Sequence, residues 1–179
     1  MLKSLLTTVA AISLLSLCTV APAQEPEKEK AKDYRAIEAL KGKGFTTCAG
    51  NASNVLKFLH KNDDFAYLNT WNVKGADTHA ATVFTVKPYS DGHSYASLTT
   101  TLRPDGGCDA AFTQIFFFTE TCPKLRDTTF KDWKFYMDLG GVPVYEDPTS
   151  TTVVIALAPA GTGCLVLKNG TFYFNPNEK

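Results

Sequence analysis

The stretch that decides the fold is Cys108-Asp-Ala-Ala-Phe-Thr-Gln-Ile-Phe-Phe-Phe-Thr-Glu-Thr-Cys122. One alternation along it carries Ala110, Phe112, Gln114, Phe116 and Phe118, and the other Ala111, Thr113, Ile115 and Phe117. An antiparallel strand with one face in water alternates apolar with polar residues. Here both alternations are largely apolar, so the stretch reads as a central strand covered on both sides, at least toward Phe116–Phe118. Gln114 is the one amide on the phenylalanine-rich alternation. It is either hydrogen-bonded in the core or lines a cavity, which makes it the candidate pocket residue.

The same strand constrains the cysteines. Beyond Cys18 there are four, Cys48, Cys108, Cys122 and Cys164, an even number that suits two disulfides in an exported chain. No Cys-x-x-Cys pair points to zinc instead. An extended strand holds Cys108 and Cys122 roughly 30 Å apart at about 3.3 Å per residue, whereas bridged Cα atoms lie within about 7 Å. That disfavours Cys108–Cys122 and, with it, Cys48–Cys164. Counting chain reversals brings Cys108 to the end of the sheet where Cys48 lies, and Cys164 to the end of Cys122. The favoured pairing is Cys48–Cys108 and Cys122–Cys164.

Outward from this strand the chain reads as a meander. Cys48–Lys61 is helical, with Ala52, Val55, Leu56 and Leu59 on one face, Thr46, Thr47 or Asn51 as caps, and His60 as a cation near its C-terminus. Strand patterns follow at Phe65–Trp71, Ala80–Lys87 and Ser94–Leu102, joined by turn-like segments, among them Pro104-Asp-Gly-Gly107. After Cys122 come a short helical turn with Pro123 at its start, a strand from about Trp133, and a return through Val142–Glu146. Pro143 should confine that return to a sheet edge. Thr151–Ala158 is a further strand, and Asn169-Gly170 between two apolar runs is the strongest short hairpin signal in the chain. It places Lys168 opposite Thr171 and Leu167 opposite Phe172.

The chain begins with Lys3, an apolar run from Leu5 to Val20 and the small residues Ala21-Pro22-Ala23, the plan of a cleaved secretory leader. The run is shorter and more polar than a membrane span needs. Residues 1–23 are thus read as a leader, 24–44 as a polar tail with a short amphipathic helix over Lys28–Lys41, and 45–175 as one domain. The predicted compartment is periplasmic or secreted. Eighteen basic residues balance eighteen acidic ones, so no charge excess points to nucleic acid or anionic lipid. The fold expected is α+β: a twisted antiparallel sheet of seven or eight strands with one or two helices on a face and two disulfides. A β-sandwich with a peripheral helix is the alternative.

Thr47-Cys48 and Thr121-Cys122 each lead into a helix, several strands and then a cysteine opening a strong strand. Tandem helix-plus-sheet halves of this kind resemble the β-lactamase inhibitory protein architecture, in layout alone and without a shared motif.

The chemistry-bearing residues do not assemble into a known pattern. His79 and His93 follow similar Asp-x-His patterns but sit at opposite ends of a strand, too far apart to share a metal. Ser90, Asp91 and His93 share one loop but lack a nucleophile elbow. The acid pairs Asp63/Asp64, Glu146/Asp147 and Asp105/Asp109 fall in turns. Asn51-Ala-Ser53 and Asn169-Gly-Thr171 match the glycosylation pattern, and Tyr89, Tyr145 and Tyr173 are the exposed-aromatic candidates. No catalytic residue, metal or cofactor is assigned. The functional expectation is a non-enzymatic exported protein that binds another protein or a cell-envelope component, inhibitor-like in kind. An extracytoplasmic hydrolase with dispersed residues and a carrier of a small hydrophobic ligand are the alternatives.

Overall fold

The structure, a computed structural model, describes residues 34–61, 65–90 and 92–176. The leader, the start of the tail, Asp63/Asp64 and Asp91 lie outside the described residues. Three helices and eight strands follow in the order α1 (Arg35–Lys41), α2 (Ala49–His60), β1 (Ala66–Thr70), β2 (Ala81–Tyr89), β3 (Gly92–Leu102), β4 (Cys108–Phe118), α3 (Cys122–Asp127), β5 (Lys134–Leu139), β6 (Val142–Asp147), β7 (Ser150–Ala160) and β8 (Gly163–Phe174). The strands make one antiparallel sheet in the order β1-β2-β3-β4-β8-β7-β6-β5. The α+β expectation holds, and the single sheet excludes the sandwich. The order is the same read from either edge: each half is a four-stranded meander, and the last strands of the two halves meet at the centre.

The helices supply the cover. Alternate residues of the central strands, among them Val83, Leu98, Phe112 and Val153, join Ile37 and Leu40 of α1 and Val55 and Leu56 of α2 in one core. Leu125 of α3 joins Ile155, Leu157 and Val166 in a second. The register sets Val153 beside Gly170 and Ile155 beside Lys168 on β8, whose β4 partners are Phe112 and Gln114. Both cores therefore lie on the same side of the sheet. Each fully buried Leu, Ile or Phe there contributes roughly 1.5–3 kcal/mol. Both disulfides tie this helix layer to the central strands. Cys48, at the N-cap of α2, joins Cys108, the first residue of β4, with Cα atoms 5.7 Å apart. Cys122, the first residue of α3, joins Cys164 of β8 with Cα atoms 5.0 Å apart.

The two-sided cover expected for the strand at Cys108 is corrected. β4 is central, yet Ala111 is exposed and Phe117 is 50% exposed. All three helices pack on one side, so no described helix or strand lies above the Ala111–Phe117 alternation.

The Asn169-Gly170 hairpin is also corrected. β8 runs unbroken from Gly163 to Phe174, and Lys168 pairs with Gln114 while Thr171 pairs with Ala111. Gly170 serves close approach, since a Cβ there would lie 2.5 Å from the Phe112 ring and 3.0 Å from Val153. Asn169 accepts a 2.7 Å hydrogen bond from Thr113 on the neighbouring strand. Gly170→Ala should therefore overpack the core and cost about 1–3 kcal/mol, read as a lowered urea midpoint at unchanged slope.

Pro143 is corrected in turn, because β6 lies between β5 and β7. Pairing with β7 begins only at Val144, so the missing N–H falls beyond that ladder. The β5–β6 turn is made by Gly140 and Gly141 at φ 64° and 88°, and Asp138 accepts a hydrogen bond from the Gly141 N–H. Two successive positive φ values suit a two-residue hairpin turn that only glycine adopts cheaply.

At the start of α2 no side chain of the helix caps it. Asp77, in the loop after β1, does related work: it accepts hydrogen bonds from the N–H and hydroxyl groups of both Thr46 and Thr47, at 2.6–2.9 Å. Burial alone would raise the Asp77 pKa, but these four bonds outweigh it and lower it. Asp77→Ala should cost about 1–2 kcal/mol, seen in chemical denaturation, with Asp77→Asn recovering part of the loss.

Candidate functional site

Among the described residues, the titratable groups singled out from the sequence are dispersed. His60 is 2% exposed, which corrects its reading as a helix-end cation. Its Nε2 lies 2.8 Å from the Thr85 hydroxyl, and its ring stacks at 4.5 Å on Phe65. Burial, and then the nearby Lys87 ammonium, lower its pKa to about 4, so it is neutral. The helix end is instead served from the sheet, where Lys87 donates to the His60 carbonyl at 2.8 Å. Gln114 donates at 3.3 Å to the Leu59 carbonyl and to Ser94 Oγ. Gln114, 2% exposed, is thus a core amide that binds α2 to β4.

The other candidates are dispersed. His79 lies in the loop after β1, and His93 at the start of β3. Asp105 and Asp109 are both held by Arg103, at 2.9 and 3.3 Å. Asp147 accepts from Thr149 in its own turn. Among the described residues no group of three or more His, Cys, Asp or Glu gathers as metal ligands do. None of the described helices is long and apolar enough to cross a membrane. The hollow between α2 and the sheet, lined by Asn54, Val55, Phe58, Phe172 and Phe174, measures about 130 Å³. Small-molecule sites run upward from roughly 300 Å³, so this hollow is small for a ligand under α2. A larger one, about 380 Å³, lies between α3 and the sheet, lined by Pro123, Arg126, Tyr145 and Leu157.

What the fold assembles is the uncovered face of the sheet. The register aligns Val86, Tyr95, Ile115, Leu167, Ala156, Val144 and Met137, one from each strand from β2 to β5, in an apolar row across it. Phe117 and Leu165 flank that row on one side, and Phe84 and Leu68 on the other. Exposure is 62% for Leu68, 41% for Phe84, 44% for Tyr95, 50% for Phe117 and 43% for Met137. Within the row Tyr95 and Met137 are the most exposed and Val144 is buried. Scattered apolar residues on a surface are ordinary, and it is their contiguity that sets this face apart.

Beside this band the same face is polar. A second row runs Thr70, Thr82, Thr99, Ala111 and Thr171. Around Ala111 lies a hollow of about 400 Å³, lined also by Ser97, Thr113, Thr152 and Asn169. Of the three tyrosines singled out from sequence, Tyr89 and Tyr173 are exposed, at 45% and 58%. Tyr145 is half-buried, under the Arg126 guanidinium at 4.9 Å and against Phe135. Of the two Asn-x-Ser/Thr sites, Asn51 lies half-buried in α2, and Asn169 lies in this face. The face itself escapes a reading by single segments. Its signal is an apolar residue out of phase with the core alternation, as Phe84 is between the core residue Val83 and the buried Thr85.

Comparison with protein-family models, with curated proteins and with solved structures finds no match to this chain.

Proposed function

We propose that this chain is an exported, non-enzymatic binding protein, and that the uncovered face of its sheet is the surface it offers to a protein or cell-envelope partner. One observation carries the reading: five large apolar side chains, each more than 40% exposed, lie together on the face of the sheet opposite the one that carries the helices. The two disulfides suit an oxidising, extracytoplasmic compartment. They also brace the sheet against the helix layer, so the face is held in shape before contact and loses little freedom on binding. Such a preformed, side-chain-rich surface is what an inhibitor-like module needs.

Phe84 and Phe117, 41% and 50% exposed, are the residues to change, with the urea midpoint of the double variant measured to show that it is folded. The tagged chain is passed over an envelope extract of the cell that makes it. Wild type and a Glu38→Lys control on the helix side should retain the same discrete component, and Phe84→Glu/Phe117→Glu should lose it. Equal retention by all three proteins would contradict the assignment of the face.

A further inference from the structure

We propose that the hollow around Ala111 is a binding site for a neutral sugar ring, one residue of a glycan lying across the open face. The inference rests on the reading of that face as the binding surface and adds the chemistry of one ligand.

The hollow exists because Ala111 puts a methyl group where its row neighbours Thr99 and Thr171 put branched hydroxyl side chains. Although no described element covers the face, Ser97, Thr99, Thr113, Asn169 and Thr171 are only partly exposed, so their polar groups line a depression. It is a shallow depression of about 400 Å³, open to solvent, so it seats one face of a ring and does not enclose the ligand.

The lining selects the ligand class. It contains hydroxyls and an amide and no charged side chain, so it offers nothing to offset desolvation of a phosphate, carboxylate or ammonium. Neighbouring strands place these groups about 4.8 Å apart, comparable to the separation of alternate hydroxyls around a pyranose. The groups are also oriented. Thr113 donates to Asn169 Oδ1 at 2.7 Å, which leaves both amide hydrogens of Asn169 to donate outward. Thr99 is bonded to Thr82 at 2.9 Å and is held in place by it. Ser97 and Thr171 add hydroxyls that both donate and accept. Phe84, the cross-strand neighbour of Ser97 and 41% exposed, supplies an apolar ring at the rim for the C–H face of a sugar. Donors and acceptors of both kinds around an uncharged hollow, with an aromatic ring beside it, complement a neutral polyhydroxy ligand.

The full exported chain is titrated with soluble neutral oligosaccharides, namely α-glucan, β-glucan and chitin fragments, with dextran sulfate and polygalacturonate as charged controls. Amide chemical shifts are the readout. At least one neutral oligosaccharide should shift the amides of Ser97, Thr113, Asn169 and Thr171 in a saturable way, and neither charged polymer should. Ala111→Leu, which fills the hollow without removing a polar group, and Asn169→Ala, which removes the outward amide, should each weaken binding at least tenfold. Both should keep the wild-type spectrum elsewhere and the envelope component that the apolar row retains. The proposal is overturned if no neutral oligosaccharide binds, if a charged polymer binds in its place, or if Ala111→Leu binds as well as wild type. Should Ala111→Leu lose an oligosaccharide while Phe84→Glu/Phe117→Glu still retains the envelope component, the sugar site stands and the wider reading of the face fails.

Discussion

Replacing Cys48 and Cys108 together by serine should lower the stability of the chain by about 4 kcal/mol. The bridge closes a loop of 60 residues, and loop entropy in the unfolded chain scales with the logarithm of that length. The second bridge, with a separation of 42, is worth nearly as much by the same relation. Against a typical total of about 5–15 kcal/mol, either loss is large and corresponds to a fall in Tm of roughly 8–16 °C for a domain of this size. The two variants should differ in where they loosen. Cys48–Cys108 pins the twelve-residue α2, which already buries Ala49, Ala52, Val55, Leu56 and Leu59. Cys122–Cys164 pins α3, six residues long, which buries only Cys122 and Leu125. A helix that short has little stability of its own. Hydrogen exchange should therefore show α3 opening locally in Cys122→Ser/Cys164→Ser, while α2 stays protected in Cys48→Ser/Cys108→Ser until the whole domain unfolds. Denaturation midpoints equal to wild type would refute the account of both bridges.

The second large effect is with acid. His60 is neutral in the folded protein because burial, then Lys87, lower its pKa from 6.5 to about 4. In the unfolded chain it takes up a proton near pH 6.5. Between these values the unfolded state binds the extra proton, so stability falls as pH falls. The full contribution is present above pH 6.5, is lost progressively down to about pH 4, and amounts to about 3 kcal/mol. Asp77 and Asp105, with pKa values lowered from 3.8, lose their contribution mainly at more acid pH, beginning at about pH 5, so the slope from pH 6.5 down to that point belongs to the histidine. Urea midpoints measured from pH 7.5 to pH 4 should slope for wild type and flatten for His60→Leu, whatever that variant's stability at pH 7.5. An equal slope in both would mean that His60 is not the group responsible.

Much of the architecture is legible in the chain because it is written in short-range terms. Pro104-Asp-Gly106 makes its turn, with the Gly106 N–H bonded to the Arg103 carbonyl and φ 84° at Gly106. The length of the Cys108–Phe118 strand separates Cys108 from Cys122 and excludes one pairing, and a count of chain reversals then selects the pairing observed. What is not legible depends on neighbours distant in sequence. Asn169-Gly170 carries the local chemistry of a turn, but the Phe112 ring, brought there by the β4–β8 register, needs the space that glycine leaves. Phe117 looks like core because it is apolar, yet which face of β4 receives the helices is decided by how α2 and α3 cross the sheet. His60 at the end of a helix suggests a cation until Thr85 and Phe65, from other segments, enclose it. The candidate site is hidden for the same reason. Its apolar row takes one residue from each of seven strands, and no segment contains two of them.

The most direct measurement is hydroxyl-radical footprinting of the free chain and of the chain with its retained envelope component bound. Phe84, Tyr95, Phe117 and Met137 should be oxidised readily in the free chain and protected in the complex, with Leu125 and Phe112 protected in both. Protection of those four residues in the free chain, or a complex that leaves them as reactive as before while shielding the helix side, would contradict the assignment of the open face as the binding surface.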